Sequence, residues 1–431
     1  MSTLRIRAVA LASLLVGLFY FFGLRAAAGQ KDIYFTRKNN ESWTPPNITD
    51  LDEAKMGSFD TVISAIMDPA EKSFDRLSCP PPIHERYDHL RQSRSEGNRT
   101  TLTAIRYFFA LNLYQSAHVL PRLLGSIVEA MRFLQPERCV LSIVGGRSND
   151  GTTEILEGLR KHIEATGATY YFSTSNIDPL APGHDRITDL AHLRNLALDP
   201  LVQQPQLYST DATVIFINDV AICLDDILEL IHQRVVQQAD MVCAMDWVRD
   251  ARIFYDSWVA RNIQGDLFVE VPQTGSFDLA HNVFWNHPAS RARLDAKLPT
   301  QVYACWNGGV AFIAKPLIQK NIRFRASHEH ECIAGEPTLF CKDFWRHGHG
   351  RIAIVPSVNL GYSDDEARTA KELHGYTADN IRKAEEDQRL TSNIHWKSTP
   401  PELVKCQPDW LTSSWVEWNE AQVETVPLAS G

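Results

Sequence analysis

Val214-Ile215-Phe216-Ile217 is the stretch that most restricts how this chain can fold. Four bulky apolar residues in succession, within residues 212–220, leave no polar face for solvent. The strand they predict must therefore be buried on both sides, as in a sheet covered by helices. Asn218-Asp219 closes the run with a carboxylate. Open α/β sheets bind ligands outside the carboxyl ends of their strands, so Asp219 is a candidate to hold a divalent cation against a phosphate-bearing donor.

The flanking periodicity fits that strand into an alternating fold. Residues 105–111, 139–144, 169–172 and 240–245 read as strands. Between them, 121–134, 152–163, 187–198 and 224–236 carry apolar residues at helical spacing. This alternation predicts a three-layer α/β sandwich with a mostly parallel central sheet. Residues 310–314 and 351–355 add two further strands, and 250–300, rich in aromatic and polar residues, reads as acceptor-binding loops. Asp225 and Asp226 fall in a helix's first turn, where carboxylates cap and are electrostatically favoured.

Composition narrows the class. Of 431 residues, 44% are hydrophobic and 22% charged, which describes a folded chain. A net charge of -9 gives no electrostatic footprint for nucleic acid, so no nucleic-acid partner is expected. The apolar run 9–24, flanked by Arg5, Arg7 and Arg25 and prolonged by Ala26-Ala27-Ala28, is long enough for a membrane span. The expected organisation is a cytosolic tail (1–8), a transmembrane signal-anchor (9–28) using the lipid bilayer as partner, and a luminal stem (29–58). An adaptor region (59–104), a catalytic domain (105–365) and a C-terminal extension packing on the core (366–431) follow. A cleaved signal peptide is the rival reading, given the small residues at 26–29. Sequons at Asn47 and Asn98 agree with luminal exposure.

Eight cysteines lack any close Cys-x-x-Cys pair, which argues against a zinc ribbon. Cys332 with Cys341 suits a local disulfide loop, and Cys223 and Cys243 read equally as free core residues. Sequence alone supplies no pairing.

Several clusters carry chemistry. Ser148-Asn149-Asp150-Gly151-Thr152 follows a strand, so Asp150 can accept hydrogen bonds from a nucleobase or ribose; the same residues also suit a turn and helix cap. Neither a P-loop nor a dinucleotide fingerprint is present. Arg186 and Arg194, about two helical turns apart, can bracket a diphosphate or simply face solvent. Asp246 ends a strand beside Trp247, a pair suited to gripping a sugar. In Cys305-Trp306-Asn307-Gly308-Gly309 the glycines let backbone approach a ligand, with Trp306 as platform and Asn307 as a hydrogen-bonding fork. Glu336 is a candidate to hold an acceptor hydroxyl and Asp343 to orient its loop. His347 or His349 is an alternative metal ligand or diphosphate contact, and both suit an ordinary surface equally.

In this order the motifs resemble glycosyltransferases of the GT-A fold. More closely, Leu111-Asn112-Leu113-Tyr114, Phe216-Ile217-Asn218-Asp219-Val220, Cys305-Trp306-Asn307-Gly308-Gly309 and the stretch 331–345 resemble the fungal cryptococcal mannosyltransferase and capsule-associated protein family, glycosyltransferase family 69. The resemblance spans residues 100–365. It implies a GT-A-like nucleotide-sugar-binding sandwich and a single-pass type II membrane protein of the Golgi or another secretory-pathway compartment, with its catalytic domain luminal. It further implies α-1,3 transfer of mannose from GDP-mannose to a mannosylated glycan or polysaccharide, assisted by Mn²⁺ or Mg²⁺. Asp150, Arg194 and Asp219 would then meet nucleotide, phosphate and metal. Where related folds carry Asp-x-Asp, this chain has Asn218-Asp219, so one carboxylate carries over. The alternative reading is a noncatalytic glycan-assembly or wall-associated binding protein on the same scaffold. A glycoside hydrolase lacks support, since no acid and nucleophile carboxylate pair stands out.

Overall fold

The computed structural model describes residues 59–91, 104–272, 278–386, 390–409 and 411–420. Met56–Gly431 forms one unit; Met1–Lys55, a separate one, lies outside the described residues. Helices α1 (Phe59–Met67) and α2 (His84–Tyr87) precede the sheet. From β1 (Ile105–Leu113) the chain alternates through α3 (Leu120–Phe133), β2 (Cys139–Gly145), α4 (Thr152–Ala165), β3 (Thr169–Thr174) and α5 (Arg186–Gln203). It continues through β4 (Tyr208–Ile217), α6 (Leu224–Val236), β5 (Met241–Val248), β6 (Ile253–Phe254), β7 (Arg261–Asn262), α7 (Pro288–Asp295) and β8 (Thr300–Ala304). Then come β9 (Gly309–Ile313), α8 (Lys315–Gln319), α9 (Glu336–Arg346), β10 (Ile352–Leu360), α10 (Asp364–His374) and α11 (Thr377–Glu386). A hairpin of β11 (Leu403–Cys406) and β12 (Ser414–Glu417) follows them.

The sheet runs in the order β3-β2-β1-β4-β9-β5-β10-β8-β7. Its first four strands are mutually parallel, as are β5 and β10. Strand β9 enters antiparallel between β4 and β5, and β8 and β7 extend the far edge antiparallel. The expectation of a mostly parallel sheet is thereby corrected to a mixed one. Parallel pairing holds among β1–β4 and between β5 and β10; the antiparallel strands β6–β9 come from residues 253–313, which return without crossover helices of that kind. Residues 250–300, read as loops, contribute β6, β7, α7 and the start of β8.

Side chains of β4 alternate between two cores, as its two-sided burial requires. Ile215 and Ile217 pack in one core with Leu123, Ile127, Leu156, Ile227 and Leu230 of α3, α4 and α6. Val214 and Phe216 pack in the other with Leu193 and Ala197 of α5 and Phe340 and Phe344 of α9. Helix α1 adds Val62, Ile63 and Ile66 to the first core.

Three disulfides join distant segments: Cys79–Cys223, Cys243–Cys305 and Cys332–Cys406. The local Cys332–Cys341 loop is corrected, because Cys341 is buried and free in α9 while Cys332 pairs with the hairpin. Cys223 and Cys243 are bonded rather than free.

The expected membrane anchor is also corrected. No helix among the described residues is long and apolar enough to cross a membrane. The anchor segment 9–28 lies outside those residues, as do both sequons. The transmembrane helix, the lipid-bilayer partner and the single-pass type II Golgi placement therefore have no support in the fold.

Helices α10 and α11 are fastened to α6 by charge. Both Asp226 oxygens accept from Lys371 Nζ, at 2.8 and 2.7 Å, and Thr377 donates to the same carboxylate. Asp226 Oδ2 also accepts from Cys223 N, closing a capping box at the start of α6. Neighbouring Asp225 is buried, and desolvation, followed by the Asp226 charge, raises its carboxyl above the usual range. A raised native pKa means the folded chain holds a proton that the unfolded chain releases, so stability falls as pH rises from 3.8 upward. Asp225→Asn is expected to flatten that loss. Thermal melts should show a higher Tm than wild type at pH 8 and no gain at pH 4.

Candidate active site

Parallel β1, β2 and β4 end along one edge, and the antiparallel return of β9 brings β5 to the same edge. The register Phe216↔Val310↔Cys243 continues one step to Ile217↔Gly309, and Asn218 N donates to Gly308 O at 2.9 Å. Asp219 and Asp246 thus stand at matching levels on either side of the Asn307-Gly308 turn. Asn307 (φ 56°) and Gly308 (φ +77°) are both left-handed. A Cβ on Gly308 would lie 3.3 Å from Val220 and 3.4 Å from Asp246, so glycine is what lets the three segments close up.

Arg194 organises one side of this edge. Its Nε donates to Glu336 Oε1 at 2.8 Å and Nη1 to Asn218 Oδ1 at 3.4 Å. Its guanidinium carbon lies 4.6 Å from the Trp306 ring centre, and it also faces Phe216 and Phe324. Trp306 donates from Nε1 to Asn218 Oδ1 at 3.1 Å and is only 1% exposed. The acceptor platform expected of Trp306 is therefore corrected: its ring is a seat for Arg194. Asn307 is corrected likewise. Its Nδ2 donates to Ala244 O, its Oδ1 accepts from Trp306 N, and its own N–H donates to Asp256 Oδ2 at 2.6 Å, so the fork is engaged within the protein. Arg186 opens α5, and burial lowers its pKa; the Glu336 charge opposes that shift and the like charge of Arg194 reinforces it.

Asp246 is fully buried. Its Oδ2 accepts from the Tyr362 hydroxyl at 2.7 Å, while Oδ1 has no hydrogen-bond partner among the described residues. Desolvation first, and the charge of Asp256 second, hold its pKa well above the carboxylate range. Tyr255 packs on Tyr362 with ring centres 4.7 Å apart. Sequence reading missed Asp256, Tyr255 and Tyr362. Tyr255-Asp256 lies where periodicity fails, and Tyr362 follows a strand whose partner was not inferable.

Asp219 is half-buried, and its carboxylate has no partner among the described residues. Asp150 is occupied: Oδ2 accepts from Ala117 N at 2.8 Å, and Oδ1 from Thr152 N and Oγ1, so it clasps the β1–α3 loop to α4. Asp343 pairs through both oxygens with Arg325, which also grips Glu331.

His347 and His349 are not brought to this edge. His347 caps the end of α9 opposite Glu336, about 16 Å away along an 11-residue helix. His349 Nδ1 lies 3.2 Å from Asp240, which precedes β5, about 20 Å along the strand from Asp246. Their expected part in the metal site is corrected on that geometry.

Cys223, Asp225 and Asp226 place candidate ligand atoms within 4.8 Å of one another. Cys223 is spent in a disulfide, and Lys371 already supplies the positive charge on Asp226. That trio does not fit a cation. The unpartnered carboxylate of Asp219 does fit one, as an oxygen donor suited to a hard divalent ion.

The family described as Cryptococcal mannosyltransferase 1 matches residues 106–343. "Alpha-1,3-mannosyltransferase CMT1" of Cryptococcus neoformans var. neoformans serotype D is 34% identical, with 73% of each chain covered. Among solved structures, Staphylococcus aureus TarS 1-349 is 15% identical with a TM-score of 0.36, covering 67% of each chain. A mannosyltransferase of Pyrobaculum calidifontis, solved with GDP-Man and Mn²⁺, is 13% identical with a TM-score of 0.35, covering 72% of each chain. Structural likenesses this distant carry no weight in assigning the site.

Proposed function

Since this chain belongs to the cryptococcal mannosyltransferase 1 family and is a mannosyltransferase, we propose that it moves mannose from GDP-mannose to a mannose-containing acceptor, in α-1,3 linkage with retention. The observation that carries this reading is the convergence of Asp219, Asp246 and the Arg194–Glu336 pair on one sheet edge.

Arg194 is held by Glu336, Asn218 and Trp306 through Nε, Nη1 and its flat face. Its Nη2 donates to no protein group among the described residues, and that N–H is the one to meet the donor diphosphate. A preset donor aimed at charge that grows as the diphosphate leaves stabilises the transition state more than the ground state. Asp219 would hold the divalent cation, Mn²⁺ or Mg²⁺, which offsets charge on that diphosphate.

Asp246 lies buried beneath this edge, where Tyr362 donates to Oδ2 and desolvation, followed by the Asp256 charge, raises its pKa. Its part is to hold the Asn307-Gly308 side of the site in place. Retention brings the acceptor oxygen in on the face the diphosphate leaves, so no base is needed opposite; orientation supplies the remaining advantage. Arg186, Asn218 and Glu336 frame the donor, Asp150 clasps the β1–α3 loop to α4, and Asp343 acts at a distance by fixing α9.

Purified chain incubated with GDP-mannose and α-linked mannobiose should yield a trisaccharide whose new linkage is α-1,3 by NMR, and other nucleotide sugars should give none. Absence of product with GDP-mannose would overturn the reading. Arg194→Lys keeps the charge but loses the planar stack and the fork. Losing one charge-assisted hydrogen bond, worth about 1.5–3 kcal/mol, is expected to lower kcat/KM for GDP-mannose about 10- to 100-fold. Steady-state kinetics with mannobiose saturating would read it.

A further inference from the structure

Glu336 begins α9, four residues after Cys332, and the loop between them is bound to a part of the chain that adds nothing to the main sheet. We infer that the β11–β12 hairpin, bonded through Cys332–Cys406, is a positioning clamp that holds Glu336 against Arg194. The inference rests on the proposed role of the Arg194–Glu336 pair.

The clamp grips from two sides. On the first, the disulfide ties Cys332 to the end of β11, and Cys332 N donates to Glu420 Oε1 at 2.9 Å. Lys342 of α9 bridges Glu331, at 2.7 Å, to Glu420, at 3.7 Å. On the second, Lys405 N donates to Gly265 O, Arg261 Nε to Lys405 O, and Trp258 Nε1 to Gln407 O.

These two sides meet directly beside Glu336. A Cβ on Gly335 would lie 3.0 Å from the Trp258 ring, so the indole packs on the residue before Glu336. Thr338 Oγ1, two residues after it, donates to Val259 O at 2.9 Å. Hairpin, Trp258 loop and the start of α9 therefore form a closed ring of contacts around the first turn that carries the carboxylate.

The effect is local to that turn. The hairpin forms its own two-stranded sheet, and Leu403 and Trp415 on it are exposed. Cys332, like Cys79, is half-buried, whereas Cys243 and Cys305 are fully buried, so the hairpin's disulfide is more accessible to a reductant than the Cys243–Cys305 bond.

The test compares the full chain with Cys332→Ser/Cys406→Ser and with Glu336→Gln, using GDP-mannose and α-linked mannobiose. A displaced catalytic-site group costs up to about 100-fold in rate, so the double variant should lose about 10- to 100-fold in kcat while KM for GDP-mannose moves less than about threefold. Its thermal melt should stay cooperative. If the double variant does not fold, wild type treated with a dithiol supplies the same comparison. The dithiol passes two electrons and two protons to Cys332–Cys406, becoming a cyclic disulfide and leaving two thiols, which mass mapping identifies. Unchanged kcat with this bond open overturns the clamp, as does a fall in kcat that only tracks loss of folded protein. Glu336→Gln separates the two readings: full activity there refutes the role of Glu336 itself, whatever the disulfide does. No turnover by oxidised wild type overturns both.

Discussion

Asp219→Ala is expected to lower kcat for mannosyl transfer about 100- to 1,000-fold, the usual scale for removing one preset charge-stabilising group. Its half-buried carboxylate has no partner among the described residues, so truncation breaks no contact that supports the fold. The melting temperature should stay near that of wild type, since substitutions away from cores and networks cost about 0.5 kcal/mol or less. Pairing kinetics with thermal melts separates chemistry from folding. Titration of Mn²⁺ followed by EPR gives an independent reading, and binding by wild type should weaken in the variant. A variant with wild-type kcat would remove Asp219 from the mechanism.

The second large effect is on stability. Lys371 and Asp226 are both fully buried as side chains and lie 2.7 Å apart. Lys371→Met fills similar space but leaves a buried carboxylate without its paired ammonium. Breaking a buried pair from one side typically costs about 3–5 kcal/mol, because the remaining charge keeps its desolvation penalty. Denaturant melts should show that loss at pH 7. The double variant Lys371→Met/Asp226→Asn should recover much of it, since replacing both partners leaves no buried net charge. If the single variant melts like wild type, α10 and α11 are held by apolar packing instead.

Much of the architecture is legible in residue order. The apolar run of β4, the helical spacing around Leu193 and Ala197, and the carboxylate after Ile217 each follow from local periodicity. Beyond Asp246 that signal fades, because β7, β8 and β9 are short and pair by return rather than by crossover helix. The site divides the same way. Asp219 and Asp246 stand out because each carboxylate closes an apolar run, and the carboxyl ends of strands are where such sheets meet ligands. Asp256 and Tyr362 carry no such mark; they matter because they face Asp246 across the fold.

Sequence by itself determined a covered α/β sheet with a carboxylate at its carboxyl edge, and it supplied the motif order that points to the family. Only the tertiary structure decided which groups remain open to a ligand. Trp306, Asn307 and Asp150 have the right chemistry for binding but are consumed by Arg194, Ala244 and Ala117. His347 and His349 sit at the wrong end of α9 and β5. A side chain's chemistry is fixed by its identity, but its availability depends on which donors and acceptors the rest of the chain places within about 3 Å. That is why β4 and Asp219 were readable in isolation, while the Arg194–Glu336 pair and the disulfide behind it required the folded chain.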